Sequence, residues 1–315
     1  MVQYTQLKTQ DLTAIIGQYD IGMLQDHKVL SGGSENTSYW VKTSKSEYVI
    51  TICERKSWEE AERLAKLLVH LQAHDFASSQ MVQNNNGQWV SQWKEKPILL
   101  KHFIKGIICE QFSDSQLQMI GKQLAQLHRI GCPENIPRKL GYGIEHFEAV
   151  NQHAPEAEFS QWLMATQNYL LPFLSDRLPR TLIHADLFYN NIIADPQSDQ
   201  LTVMDFEEAT FYYRIYDIGM TLVGTCHLQH QLDMRSAKVL INAYQKSNSL
   251  SPLEKEALPA FVVYAAAATA FWRFVHFNFV EPDKQLGTRY EEMYRLAAKV
   301  KAMDPKQFQA LFDAD

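Results

Sequence analysis

The 315-residue chain has no basic surplus: Lys and Arg total 30 against 36 Asp and Glu, giving a formal net charge of −6. A surface built to neutralise a phosphate backbone or an anionic membrane is therefore not expected, which argues against nucleic acid or a bilayer as the main partner. Cysteine is sparse. Cys53, Cys109, Cys132 and Cys226 form no C-x-x-C pair, so neither a zinc site nor a disulfide framework is indicated, and a reducing, cytoplasmic setting fits. The first residues contain Asp11 and no apolar core of the kind a secretory signal carries. The most apolar run, Ala260 to Trp272, lies between Pro259 and Arg273 and is shorter than the roughly 20 residues that span a bilayer. It reads as a buried helix. Internal repeats and low-complexity tracts are also lacking.

What remains is an ordinary globular composition, 46% hydrophobic and 21% charged, enough for two lobes. The character changes near residue 100. Before it, Ser34 to Val41 and Glu47 to Cys53 are rich in β-branched and aromatic residues and read as paired strands. Ser57 and Glu60 form a capping box for a helix to about Ala73, with Trp58, Ala61, Leu64, Ala65, Leu68 and Leu71 on its apolar face. Asn84 to Gly87 predicts a turn between hairpin strands at Met81-Val82 and Trp89-Val90. Pro97 to Leu100, with Phe103, Ile104 and Gly106, predicts a last strand and hinge. After the hinge, helices dominate: one capped by Ser113 and Gln116 and ending near Gly131, one over Phe159 to Leu171, and one opened by Ser251-Pro252. The class is α+β, with an antiparallel β lobe over residues 1–104 and a mainly helical lobe over 105–315.

Within the helical half lies one strand-like island, and it carries the chemistry. His184-Ala-Asp186 and Asn191 form H-x-D-x-x-x-x-N, and Asp205-Phe206 follows fourteen positions after Asn191, beyond the apolar strand Leu201 to Met204. Phosphoryl transfer needs an Asp to orient the attacking hydroxyl and accept its proton, and hard oxygen donors to hold magnesium on the nucleotide phosphates. Asp186 suits the first task as catalytic residue. Asn191 and Asp205 suit the second as metal ligands. His184 is expected to brace the loop by hydrogen bonding, since Asp186 already fills the proton-accepting role.

With these residues in place, the sequence resembles the aminoglycoside phosphotransferase and choline kinase superfamily, and within it the bacterial homoserine kinases. The resemblance rests on His184 to Phe188, Asn191 and Asp205-Phe206. It extends to Asp217 in Tyr216-Asp-Ile-Gly219, the post-hinge helix Gly121 to His128, the nucleotide-loop sequence Glu35 to Tyr39, and the third strand Tyr48 to Lys56. It implies a two-lobed protein-kinase-like fold and ATP with Mg2+ as cofactors. It also implies a structural role for Asp217, and Ser34, Asn36, Thr37, Thr51, His102 and Ile104 at the nucleotide. The acceptor would be the hydroxyl of a small amine-bearing metabolite: homoserine first, then choline or ethanolamine, then an aminoglycoside. A monomer or homodimer is expected.

Two departures mark this chain. Many superfamily members place a Lys on the third strand, where this sequence has Ile50, Thr51 and Ile52; Lys42, Arg55, Lys56 or the backbone of Ser34 to Thr37 would have to supply the charge. There is no G-x-G-x-x-G run. Second, Glu207 and Glu208 follow the metal-binding Asp, and such a pair would favour a cationic acceptor. Trp272 and Arg273 are further candidates for the acceptor pocket, late in an apolar helix. A nucleotide-binding scaffold without catalysis is the rival of another class, opposed by the intact Asp186, Asn191 and Asp205.

Overall fold

The computed structural model describes residues 5–30, 36–198 and 200–313. Ser34, expected at the nucleotide, lies outside the described residues. The chain divides into two compact units, Val2–Gly106 with Thr202–Glu207, and Ile107–Leu201 with Glu208–Asp315.

The first unit opens with α1 (Thr9–Ile16) and continues through β1 (Leu24–Leu30), β2 (Asn36–Thr43), β3 (Glu47–Cys53), α2 (Trp58–Ala73), β4 (Val90–Trp93) and β5 (Lys96–His102). Its strands form one sheet in the order β1-β2-β3-β5-β4, with every neighbouring pair antiparallel. Alternation decides the two faces. Tyr39, Val41, Tyr48, Ile50, Ile52, Ile98 and Leu100 point one way and bury against Leu12, Ile15 and Ile16 of α1. The register pairs Ser38 with Thr51, Thr51 with Leu99, and Val49 with Lys101, so these residues share the opposite face.

The expected capping box of α2 forms: Ser57 N donates to Glu60 Oε2 at 2.8 Å and Glu60 N to Ser57 Oγ at 3.2 Å. Trp58 departs from the expected apolar face. It sits on the first turn, 40% exposed, with its indole N–H on Glu62. The hairpin also differs from expectation. Asn84 to Gly87 does turn, because Asn84 Oδ1 accepts from the N–H groups of Asn86 and Gln88. The segments on either side, however, do not pair with each other; both take the same edge of β5. β4 covers its first half, and Val82 N and His102 N bond to Leu100 O and Gln80 O along the second.

At the end of β3, the Glu54 carboxylate ties the sheet to the chain's first described residues. It accepts from Thr5 N at 2.9 Å and Thr5 Oγ1 at 3.1 Å, and also from Thr37 Oγ1 and Lys96 Nζ. Burial alone would raise its proton affinity, but the Lys96, Thr37 and Thr5 donors outweigh that and hold it down at about 2, from 4.5.

The second unit begins with β6 (Ile107–Ile108) and α3 (Asp114–Leu127). Next come the short α4 (Val150–His153), α5 (Glu158–Leu170), β7 (Arg180–Ile183) and β8 (Ile192–Ala194). After β9 (Leu201–Val203), which contains the boundary, it resumes with β10 (Thr210–Tyr213), α6 (Arg214–Thr225), and the two-residue strands β11 (His227–Leu228) and β12 (Gln231–Leu232). It closes with α7 (Met234–Gln245), α8 (Pro252–Val275), α9 (Tyr290–Lys301) and α10 (Pro305–Gln309). α8 is the core, packed by α5, α6 and α9, and its residues from Ala260 to Ala268 are all but fully buried. With its π-turn extension it reaches Val280, long and apolar enough to cross a membrane and thus longer than the Ala260–Trp272 run suggested. Its apolar window is 78% buried within the protein, the pattern of a core helix. Two glycines let α6 approach its neighbours. A Cβ at Gly219 would lie 2.7 Å from Phe261 O on α8, and one at Gly224 would lie 2.4 Å from Leu187 O.

Because Glu54 has a lower pKa folded than unfolded, its stabilisation is fully present above about 4.5 and is lost as pH falls toward about 2. We expect Glu54→Gln to lower unfolding stability near neutral pH by on the order of 2 kcal/mol, a figure reduced for the solvent-screened Lys96. Urea unfolding at stepped pH should show the gap between parent and variant narrowing through that window. A gap that stays constant would mean the carboxylate charge does no stabilising work.

Candidate active site

The strand β7 delivers His184, Ala185 and Asp186 at its end, paired with β10 through Ile183 and Thr210. Ala185 adopts φ 71°, a left-handed conformation uncommon outside glycine. It is held there from two sides. Asp217, in the first turn of α6, accepts from His184 N at 2.9 Å and from Ala185 N at 2.8 Å, while Tyr142 Oη donates to Ala185 O at 2.8 Å. Gly224, one helical stretch later, lets α6 lie directly against Leu187 and Phe188.

Asp217 is fully buried, so its charge must be answered locally. Besides the two loop amides it receives His128 Nε2 at 3.1 Å. Burial opposes its ionisation. The His128 hydrogen bond, the electrostatic pull of the His128 and His184 side chains, and the His184 amide outweigh that and leave the carboxyl below its ordinary value. The chain of bonds continues: Tyr244 Oη pairs with His128 Nδ1 at 2.9 Å, Asn248 Nδ2 donates to Tyr244 Oη at 3.2 Å, and Arg214 Nη1 donates to Asn248 Oδ1 at 2.7 Å. It ends on buried Glu254, which takes Arg214 Nε at 2.6 Å and Nη2 at 2.8 Å and also closes the capping box of α8.

The Asp186 carboxylate is thus presented on a fixed backbone. Asp186 N donates to His184 Nδ1 at 3.2 Å, which requires that nitrogen to be unprotonated and leaves the imidazole no proton there to pass on. Asn191 is buried and folds back on the same residue, its Nδ2 donating to Asp186 O at 2.8 Å and to Asp186 Oδ2 at 3.2 Å. The Asn191 Oδ1 accepts from Asn190 Nδ2 at 3.3 Å.

Asp205 belongs to the other unit and also has left-handed backbone, φ 60°. Phe206 beside it is anchored edge-on against Phe76, with ring centroids 5.9 Å apart. Asp205 keeps contact with solvent, yet the protein crowding its carboxyl strips enough hydration to push it up to about 6. The Glu207 charge adds to that rise, and Lys101 and Lys56 oppose it. Excess negative charge on hard oxygens is the environment a divalent cation relieves, so the donor types fit magnesium.

The structure separates the other expected site residues, and some of them take structural positions. Glu207 and Glu208, read as one acidic pair, fall in different units. Glu207 binds Lys56 Nζ at 2.8 Å and Asn36 Nδ2 at 2.7 Å, so its charge is answered beside the sheet rather than offered to an acceptor. Glu208 lies against Gly141, where a Cβ would come within 2.9 Å of its Oε2, and its charge acts on Tyr142 and Tyr216 beside the catalytic loop. Thr37 points to the α1 side of the sheet, where it bonds Glu54 and accepts from Thr5 N at 3.2 Å; this is a structural position. The His102 side chain is on that side too, its ring 5.1 Å from Tyr48. Thr51 and Asn36 share the other face, with the Thr51 hydroxyl 3.4 Å from Ser38 Oγ. Ile104 makes no hydrogen bond among the described residues. Trp272 stacks on His276 at 4.5 Å, and Arg273 instead reaches Phe188 of the catalytic loop, 5.9 Å from guanidinium carbon to ring centroid.

Lys101 was not anticipated. It lies on β5 rather than the third strand, but pairing with Val49 puts it on the Thr51 face, where its charge acts on Asp205. Only the register of β3 against β5 would have revealed it.

The family model described as "Phosphotransferase enzyme family" matches residues 26–259. The chain belongs to that family. It is a phosphotransferase of the kinase type, acting on a hydroxyl acceptor. Among its relatives, the homoserine kinase of Caulobacter vibrioides (strain NA1000 / CB15N) is 29% identical over 275 residues, covering 84% of this chain and 86% of the relative. That of Rhodopseudomonas palustris (strain BisA53) is 26% identical over 285 residues, covering 87% and 86%. Solved structures agree on a kinase-like fold. An amicoumacin kinase in complex with AMP-PNP and Ca2+ superposes with TM-score 0.75 at 14% identity, covering 96% of this chain and 97% of that one. A choline/ethanolamine kinase family protein from Mesorhizobium loti gives 0.71 at 13%, covering 97% and 99%.

Removing the Asp217 carboxylate leaves two loop amides and His128 buried without their acceptor. Asp217→Ala is expected to cost about 3 kcal/mol in urea unfolding and to lower phosphotransfer well beyond what the residual folded fraction explains. Parent-like stability in the variant would show that water or another side chain replaces the clamp.

Proposed function

We propose that this protein transfers the γ-phosphoryl group of ATP to the hydroxyl of a small amine-bearing metabolite, homoserine being the first candidate. The observation that carries this reading is the Asp186–Asn191 pair set on a strained loop by buried Asp217. Its acceptor side draws on relatives named homoserine kinase at 26–29% identity.

In this reading the Asp186 carboxylate holds the acceptor hydroxyl and takes its proton as the bond to phosphorus forms. Asn191 Oδ1 and the Asp205 carboxylate are the magnesium ligands; magnesium, when bound, neutralises charge developing on the phosphate oxygens. Lys101 provides the positive charge that a third-strand Lys provides in other members, Lys56 is held beside it by Glu207, and Thr51 and Asn36 line the same sheet face. The Ile104 backbone, with no hydrogen bond among the described residues, is the hinge contact for adenine. Glu208 is the carboxylate for the acceptor's ammonium group. Residues 1–104 serve as the nucleotide lobe and 105–315 as the acceptor lobe.

The decisive experiment is an ADP-release screen over homoserine, choline, ethanolamine, hydroxylysine, methylthioribose and several aminoglycosides. Turnover confined to choline or an aminoglycoside would replace the homoserine reading. Tight ATP binding with no turnover on any acceptor would make the protein a scaffold. On the acceptor so identified, Asp186→Asn should reduce kcat by roughly 100-fold or more while ATP affinity stays within a few fold. Near-normal turnover would remove Asp186 from the chemistry. Lys101→Met should raise the KM for ATP by about 10-fold at unchanged acceptor KM. An unchanged ATP KM would return the phosphate contact to the sequence from Ser34 to Thr37.

A further inference from the structure

Arg273 lies in the last turn of α8 with its side chain 12% exposed. Its Nη1 donates to Glu292 Oε2 of α9 at 2.9 Å and to Arg289 O at 3.3 Å. Glu292 is itself shared, since His227 Nε2 pairs with its Oε1 at 3.2 Å. That hydrogen bond is the largest cause of a carboxyl held down at about 2, with Arg273 adding to it against burial. Among the described residues, Arg273 Nε and Nη2 donate no hydrogen bond.

A guanidinium presents five N–H donors in a planar fork that matches a carboxylate through two parallel bonds. Here one nitrogen is anchored and the remaining edge is open. The open edge is not among the buried unpartnered atoms, so it keeps contact with solvent and can exchange water for an anion that the fork matches. A plain tie between α8 and α9 would need Nη1 alone. The cation is also placed against the reacting loop: it sits over the Phe188 ring, two residues beyond Asp186, and the Asp186 charge acts on it.

We propose that Arg273 is the residue that reads the acceptor's negative charge: its open edge receives a carboxylate, so the substrate class is a hydroxy amino acid rather than an amino alcohol. This rests on the proposed function, to which it adds the group that separates homoserine from choline and ethanolamine. Glu208 would meet the ammonium end and Arg273 the carboxylate end of the same small molecule, with its hydroxyl at Asp186.

The test compares L-homoserine with 3-amino-1-propanol, which keeps the hydroxyl, chain length and amine but lacks the carboxylate, in the full-length parent, Arg273→Gln and Arg273→Lys. The parent should favour homoserine. Arg273→Gln should raise the homoserine KM by roughly 10- to 100-fold with kcat little changed, leave 3-amino-1-propanol as it was, and so collapse the selectivity ratio; Lys should restore part of it. Equal loss on both acceptors would overturn the proposal in favour of a helix tie, and a fall confined to kcat on both would assign Arg273 to the transferring phosphoryl group instead. Should Arg273→Gln fail to fold, the parent's own ratio and the Lys variant decide, and a parent that prefers 3-amino-1-propanol sinks the idea. If the parent phosphorylates neither, the acceptor reading fails on its own. Calorimetry with L-2-aminobutyrate and propylamine then judges Arg273: the proposal stands if only the carboxylate compound binds and Arg273→Gln abolishes it, and falls otherwise.

Discussion

One buried carboxylate organises the loop that carries Asp186. Asp217 takes the amides of His184 and Ala185 on its two oxygens, so it fixes the peptide plane from which the Asp186 side chain departs. An isolated buried charge would be expelled or neutralised. This one persists because His128 supplies a third donor and because His128 is itself oriented by Tyr244. The relay through Asn248 and Arg214 to Glu254 connects that orientation to the cap of α8. The helix that carries Arg273 at its far end is therefore begun by the same network that positions Asp186. Loop, clamp and core helix stand or fall together, as fully satisfied polar networks do.

Much of this was legible in the sequence wherever the governing rule is local. Capping boxes at Ser57 and Ser113 announced two helices because both reciprocal bonds lie within four residues, and Pro252 at a first helical position announced a third. The spacing of His184, Asp186, Asn191 and Asp205 pointed to phosphoryl transfer because that chemistry demands those oxygen types. The failures are equally physical. Met81-Val82 and Trp89-Val90 carry good strand chemistry, but nothing nearby says that both will compete for β5 rather than for each other. Thr37 sits one residue from Asn36, and the twofold period of a strand sends it to the opposite face.

Charge was harder to read than shape. Adjacent glutamates suggest one acidic patch, yet Glu207 closes onto Lys56 and Asn36, while Glu208 turns toward Gly141 and the Tyr142 ring. The third strand has no lysine, but the sheet face that carries Thr51 does have one. Lys101 reaches the Thr51 face from β5, a substitution that sheet register permits and a linear motif cannot express.

Backbone strain adds a last link between fold and chemistry. Two non-glycine residues of the constellation, Ala185 and Asp205, sit in left-handed conformations at φ 71° and 60°. Each such residue costs on the order of 1 kcal/mol and persists only where its surroundings over-determine it. For Ala185 the determinants are Asp217 and Tyr142, which grip its N–H and C=O from opposite sides. For Asp205 they include the Phe206 ring locked against Phe76 and the bonding of Val203 to Ala77 one turn earlier. A glycine at either position would relieve the strain but would let the loop sample other conformations, and Asp205 must keep its carboxylate. The fold accepts a small local penalty at both places, and in return the backbone that carries the Asp186 and Asp205 carboxylates is fixed before any ligand arrives.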